Sequence, residues 1–448
     1  MSVAVFLKNN LNGISPRVGK IINHLPYSMR PGLGSIYKQR QREIDSFERY
    51  SFRDKQQFVF ERLKSIISYA YSHIHFYREY YTERGFNPNM LKNFEDIPLV
   101  PIVNKSILRE YDIDQRSRST PGRYIVNTGG SSGEPFSLYV EPSSMGHEWA
   151  HIHQIWSKLE YCPSDFKLVF AGRSNIKDLV EYDVVRNHFM VDIYTDFRDV
   201  ANKLKPILGK YNIKYLHGYP SSIYDFALYC ANEDGELQSR LSKSLKGAFL
   251  GSEFPHPHYR EVIEEVFDIP TISWYGHTER CVLAYEKTEK FKYEPFGTYG
   301  FAEVAESQNT GNHHLIATSY YNRASPLIRY NTEDIISDIE LENNLLKSFK
   351  ISEGREGEYI LDKAKKKINL TGLIFGRHHK LFNYAKFIQV KQPSLGKIEI
   401  HFVADRVDQS RARDLFDSTN LNLHIEFIKR SEPVRTLSGK INLLIKDA

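Results

Sequence analysis

The nine residues Asn127-Thr-Gly-Gly-Ser-Ser-Gly-Glu-Pro135 constrain this chain more than any other stretch. They lie between two apolar runs, Tyr124-Ile-Val126 and Phe136-Ser-Leu-Tyr-Val140, so the sequence predicts a strand–loop–strand hairpin. Gly129, Gly130 and Gly133 let the loop turn tightly and let backbone N–H groups approach an anion. Thr128, Ser131 and Ser132 add hydroxyl donors suited to phosphate oxygens. A Walker P-loop instead runs from strand into helix and ends in Gly-Lys-Ser/Thr, which is missing here. Taken alone, the segment equally describes a hairpin with no ligand, and the rest of the chain has to decide.

At 448 residues the chain is long enough for two or three domains with ample core. A net charge of +5 does not indicate a general nucleic-acid role. Cys162, Cys230 and Cys281 are far apart, which excludes a paired-cysteine zinc site or disulfide framework and fits a reducing, cytoplasmic setting. No apolar run approaches the ~20 residues of a membrane span. Met1–Lys8 is too short for a signal peptide. Residues 3–23 carry apolar positions at roughly helical spacing with Lys8, Arg17 and Lys20. That pattern predicts a helix which either packs on the body or lies at a bilayer surface.

Periodicity then gives the layers. Phe60, Leu63, Ile67 and Ala70 share one face of a long amphipathic helix. Asn104–Glu110 reads as a short helix and Ser143–Leu159 as a longer one. Strands at Lys167–Ala171, Ile213–His217, Leu245–Leu250 and Thr271–Trp274 alternate with helices at Asp199–Tyr211, after Tyr219, and at His258–Phe267. This alternation predicts an α/β layered fold. Two strands end in small-residue turns that carry a carboxylate, Gly251-Ser-Glu253 and Tyr275-Gly-His-Thr-Glu279. Ligands bind beyond the carboxyl ends of parallel strands. There, Glu279 suits Mg²⁺ on a triphosphate and Tyr275 or the Gly251 backbone suits a planar base. Asp334, after Arg329-Tyr-Asn-Thr-Glu333, suits a ribose, and Arg377 in Gly376-Arg377 suits ribose or phosphate oxygens. Lys440 stands on the small-residue turn Ser438-Gly-Lys440. A competing signal is His147-Glu-Trp-Ala-His151, which matches the His-Glu-x-x-His pattern of zinc hydrolases.

In order, these motifs resemble those of the adenylate-forming ligases, and within them the phenylacetate–CoA ligase branch with its CapK-like members of capsular polysaccharide biosynthesis. Tyr69–Tyr77 and Ile97–Lys105 resemble that branch too. The resemblance implies a large adenylation domain, 1–377, and a small mobile α+β lid, 378–448. It implies that a carboxylic acid attacks ATP to give an acyl-adenylate and pyrophosphate, and that the acyl group then passes to an amine, sugar or thiol acceptor such as CoA. Thr128, Gly129, Gly130, Ser131, Ser132 and Gly133 would bind phosphates. Gly251, Ser252, Glu253, Tyr275, Gly276 and Thr278 would line the nucleotide site. Glu279 would assist Mg²⁺, Asp334 and Arg377 would hold ribose, and Lys440, with Thr128 and Glu279, would serve catalysis. The molecule would be a monomer or homodimer.

The sequence departs from the family in three places. Asn331-Thr-Glu333 replaces the usual Arg/Lys-Thr-Gly, His379 replaces an acidic residue or lysine at the hinge, and a glycine-containing segment after Arg377 is missing. The last departure points toward an amine or amino-sugar acceptor at least as much as toward CoA. A descendant that binds nucleotide without catalysis is a second reading, and the zinc hydrolase a third.

Overall fold

The structure is a computed structural model that describes residues 15–30, 33–129, 135–172, 176, 178–306, 311–351, 359–377, 379–385, 387–434 and 443–445. Its strands in chain order are β1 (Tyr124–Gly129), β2 (Pro135–Val140), β3 (Phe166–Phe170), β4 (Val180–Asp183), β5 (His188–Val191), β6 (Ile213–Gly218), β7 (Gly247–Leu250), β8 (Thr271–Gly276), β9 (Leu283–Tyr285) and β10 (Glu294–Pro295). They continue as β11 (Gly300–Glu306), β12 (His313–Ser319), β13 (Tyr330–Glu342), β14 (Leu345–Ile351), β15 (Tyr359–Leu361), β16 (Lys367–Asn369), β17 (Phe387–Ser394), β18 (Lys397–Val403), β19 (His424–Lys429) and β20 (Leu444–Ile445).

The largest sheet has the order β10-β9-β8-β7-β6-β3-β5-β4. Its centre, β8-β7-β6-β3-β5, is parallel, and both flanks turn antiparallel. Successive strand residues face opposite ways, so the middle strands serve two cores. Tyr215, Phe249 and Ile272 pack with helices Gly34–Arg49 and Ser144–Trp156 on one face. Leu216, Ala248 and Leu250 pack on the other with helices Phe197–Leu208, Pro220–Glu233, Gly235–Ser244 and Pro257–Phe267. The expected alternation of strands and helices is therefore present. The antiparallel hairpin β4–β5 and the meander β11-β12-β13-β14 were not among the predicted elements.

The glycine loop does join two antiparallel strands: β1 pairs with β2, with Thr128 opposite Phe136 and Gly129 opposite Pro135. Phe136, Leu138 and Val140 anchor this hairpin in a core shared with the meander and with helix Phe52–His73. That helix starts at Ser51, whose hydroxyl accepts from the Asp54 N–H. It buries Phe60, Leu63, Ile67 and Ala70 as the spacing predicts. The last sheet, β19-β18-β17-β20, comes entirely from residues after 386. Its Ile388, Ile400 and Phe427 belong to the same contiguous core as Phe226 and Leu250.

Candidate active site

The exit of β8 is fixed from beneath. Arg260, buried on helix Pro257–Phe267, donates from Nη1 and Nη2 to the two oxygens of the buried Glu286 at 2.5 and 2.8 Å. The same guanidinium reaches the Thr271 hydroxyl and carbonyl at 2.5 and 2.7 Å. Glu286 also accepts from the Ser273 N–H at 2.9 Å. Forked arginine–carboxylate pairs combine strength with a defined geometry. This clamp aims the end of β8, and with it Tyr275 and the turn to Glu279.

Glu279 is buried among cationic and polar groups. The Lys105 ammonium lies 3.5 Å from Oε1, the His277 imidazole 3.5 Å from Oε2, and the Tyr330 hydroxyl donates to Oε1 at 3.4 Å. Burial alone would raise its pKa, but His277 and Lys105 outweigh that and hold the carboxylate below its ordinary range. Glu279 is therefore an anion near neutral pH. Lys105 opens helix Lys105–Arg109, whose start is capped by the Asn104 side chain accepting from the Ile107 N–H at 2.9 Å. Among the described residues, neither nitrogen of His277 makes a hydrogen bond.

Tyr275 ties this corner to β13. Its hydroxyl donates to Asp334 Oδ2, and its ring meets the edge of Phe349 at 5.6 Å. Burial pushes the Tyr275 phenol far up, so it stays a donor. Asp334 keeps an exposed position on its strand. Glu333, where the family carries glycine, has φ +65°, in the left-handed region, and its N–H donates to the Asn331 side chain at 2.8 Å. That Asn-centred turn supports a conformation that costs a side chain about 1–2 kcal/mol. The structure thus brings Glu279, Tyr275 and Asp334 together, and it adds Lys105, Tyr330 and His277. Lys105 and Tyr330 stand within the stretches Ile97–Lys105 and Arg329–Asp334, but neither was assigned a role from the sequence. The Asn104 cap fixes where Lys105's helix starts, but its partner is set by the tertiary fold.

Thr128 is buried at the end of β1 with its hydroxyl unpartnered among the described residues. A buried donor without a partner costs roughly 1–3 kcal/mol, which a ligand oxygen would offset. Gly129 closes the strand. Gly130, Ser131, Ser132 and Gly133 of the expected phosphate loop, and Lys440, lie outside the described residues.

Gly251 follows β7, and a Cβ there would stand 2.5 Å from the Trp274 ring. Ser252 is exposed at φ +69°. Glu253 accepts from the Ser221 hydroxyl at 2.8 Å and the Ser221 N–H at 3.3 Å, at the start of helix Pro220–Glu233. Its other oxygen has no hydrogen-bond partner among the described residues. Burial pushes the Glu253 carboxyl up to about 7 and that of nearby Asp225 up to about 6. Both line a cleft open to solvent, together with Tyr194, Tyr219 and Gly372. Gly276 and Thr278 are exposed around Tyr275.

Arg377 is placed differently from the sequence expectation of a ribose pair with Asp334. A π-helical turn, Thr371–Gly376, delivers it, and its side chain is fully buried. Nε donates to the Asp417 carbonyl at 3.1 Å, and Nη2 to the Thr419 carbonyl and, at 3.4 Å, to the Asp417 carboxylate. The guanidinium lies 4.7 Å from the Tyr194 ring centre. His379 joins the same segment. Nδ1 accepts from the Asp417 N–H at 2.9 Å, which leaves Nε2 to donate to the Leu373 carbonyl at 2.8 Å. Its ring stacks on Phe416 at 3.7 Å.

The zinc-hydrolase pattern is overturned. His151 commits Nδ1 to the His147 carbonyl and Nε2 to the Thr298 hydroxyl, at 2.9 and 2.8 Å. His147 Nε2 meets the Tyr299 carbonyl at 3.2 Å, and Glu148 takes the Tyr299 hydroxyl. The two imidazoles are buried packing groups held neutral by desolvation. Among the described residues no three His, Cys, Asp or Glu side chains converge on a metal-sized site.

No family model matches the chain. In sequence it is 23% identical over 321 residues to Protein CapK of Staphylococcus aureus, covering 68% of this chain and 69% of that protein. A 71-residue stretch is 34% identical to phenylacetate-coenzyme A ligase of Thermus thermophilus, covering 16% of this chain and 15% of that one. In structure it matches 2-hydroxyisobutyryl-CoA ligase in the postadenylation state in complex with R3-HIB-AMP, with a TM-score of 0.54 at 16% identity over 88% of this chain and 90% of that one. The same ligase with 2-HIB-AMP and CoA in the thioesterification state gives 0.56 at 16% identity over 89% and 90%.

Proposed function

From a chain that has the fold of the adenylate-forming ligases and is a distant homologue of CapK, we propose an AMP-forming ligase that activates a carboxylic acid with ATP and passes the acyl group to an acceptor. The supporting observation is the corner at the end of β8: an ionised, buried Glu279 beside Lys105, with Tyr275 and Asp334 alongside. Phosphoryl chemistry of this kind needs positioning and charge neutralisation more than covalent help from the protein.

In the first half-reaction a carboxylate oxygen attacks the α-phosphorus and pyrophosphate leaves. In the second, an amine, sugar hydroxyl or thiol attacks the acyl carbon, loses its proton and expels AMP. Bound Mg²⁺ would neutralise triphosphate charge. Glu279 fits it, because Mg²⁺ takes one or two carboxylates plus phosphate oxygens. Thr128 and the Gly129–Gly133 loop bind phosphate. Gly251, Ser252, Glu253 and Tyr275 line the base, with Gly276 and Thr278 beside them. Asp334 holds ribose, and Arg377 joins it after leaving Asp417. Residues 378–448 act as the lid that brings Lys440 to the α-phosphate. Acceptors in cell-surface polysaccharide synthesis, an amine or amino sugar, fit the chain as well as CoA does.

The test is carboxylate-dependent ATP–pyrophosphate exchange across aryl, fatty, amino and sugar acids, on the wild type and on Lys440→Ala. Exchange in the wild type and a loss of about 10²–10³ in the variant, with ATP binding kept, is the expected result. ATP binding without exchange on any acid would favour the non-catalytic descendant.

A further inference from the structure

Helix Pro16–Asn23 is docked inside out. Its small and polar side faces the protein. Gly19 is buried, and a Cβ there would stand 2.1 Å from the Tyr182 hydroxyl. Asn23 is buried as well, its Nδ2 donating to the Gly19 and Val184 carbonyls at 2.8 Å each. The apolar side faces out. Val18 is 49% exposed and Ile21 71%, followed by Leu25 at 53% and Met29 at 68%. Val18 and Ile21 are three apart on one face of the helix, and Leu25 and Met29 follow beyond its end. Val185, exposed on the turn between β4 and β5, extends the patch, since its carbonyl accepts from Arg30. Helices ordinarily bury such a face, and a contiguous exposed one marks an interaction surface.

Charge identifies the partner. Residues 1–42 contain Lys8, Arg17, Lys20, Arg30, Lys38, Arg40 and Arg42 and no acidic residue, in a chain with 55 Asp and Glu. Arg17, Lys38 and Arg42 are exposed. Asp183, on the neighbouring strand, is already paired with Arg186 and His188. We propose that this end of the molecule lies on an anionic membrane surface. Val18, Ile21, Leu25 and Met29 sit at the headgroup boundary, and the exposed Arg17, Lys38 and Arg42 meet lipid phosphates, whereas Arg40 is buried and paired with Glu43. Apolar insertion and juxtamembrane cations are the two signals that together hold a protein at an anionic bilayer. A second copy of the same face would set these cations against each other, which like charges disfavour.

The test floats the full-length protein with vesicles of phosphatidylcholine alone or mixed with phosphatidylglycerol. Binding to the anionic vesicles should exceed binding to the neutral ones by about tenfold or more, and salt should weaken it. The double substitution Ile21→Glu, Leu25→Glu should lower binding to anionic vesicles by at least about tenfold with an unchanged circular dichroism spectrum. Both positions are exposed, so the variant keeps its fold. Equal binding to both vesicle types, equal binding by variant and wild type, or no binding at all would each overturn the proposal. So would light scattering that shows a dimer converted to monomer by the same substitutions, since that result gives the face to a second copy.

Discussion

Two buried arginines hold two corners of this molecule in opposite ways. Arg260 is saturated: it grips both oxygens of a buried carboxylate and both oxygens of Thr271, all at 2.5–2.8 Å. Arg377 leans on two backbone carbonyls and, at 3.4 Å, on a partly exposed carboxylate. One contact network has a single good arrangement, and the other can let go. The first supports the β8 corner that must not move. The second joins the π-helical turn to residues 416–419 between the last sheet's strands, where the proposed lid has to swing.

The largest effect expected from testing this contrast is at the clamp. Glu286→Ala strips the buried guanidinium of its forked partner, leaving Glu264 at 3.4 Å, and should cost about 3–5 kcal/mol of stability, read by urea unfolding. A loss below 1 kcal/mol would mean that the clamp is not what fixes β8. Next comes the corner it supports. Glu279→Gln should cut pyrophosphate exchange by about 10²–10³, more than any loss of stability accounts for, because the carboxylate would hold the Mg²⁺ that neutralises triphosphate charge. Unchanged exchange would remove Glu279 from the chemistry.

At the seam the effect should be smaller and opposite in sign. Asp417→Ala frees Arg377 for the nucleotide, and because the carboxylate is partly exposed the gain is about 0.5–1 kcal/mol. ATP should bind two- to fivefold tighter by titration calorimetry. Weaker binding would show that Arg377 works where it now sits. A separate test uses pH dependence. Glu253 keeps its proton to about pH 7 when folded, against an ordinary 4.5. The folded state therefore binds more protons over that window, and stability falls as pH rises from about 4.5 to about 7. Glu253→Gln should flatten that decline in unfolding curves, and an identical decline in the variant would place the titration elsewhere, with Asp225 the next candidate.

The parts legible in sequence were those carried by local pattern. The glycine hairpin, the strands ending at Gly251 and Tyr275, and the face of helix Phe52–His73 all follow from spacing and turn residues. β13 was not legible, because its run of Asn, Thr, Glu and Asp reads as a polar turn, and only Tyr330, Thr332 and Ile336 enter the core. Within the site, motif order marked Glu279, Tyr275 and Asp334, but Lys105 reaches Glu279 only through the tertiary fold. Asp417 lies in no motif, and its hold on Arg377 comes from how the last sheet docks. His147 and His151 show the opposite failure: correct metal spacing on a helix whose face is buried against Tyr299 and Thr298.

Gly251 and Trp274 share one volume, since any side chain at 251 would enter the space of the indole. The two positions are therefore linked in the order in which they can change. A descendant of this chain can enlarge residue 251 only after residue 274 has shrunk, and until then drift at 251 is closed. Across an alignment of relatives, bulk at one position and an indole at the other should exclude each other, so a change in the shape of this corner enters the lineage at 274.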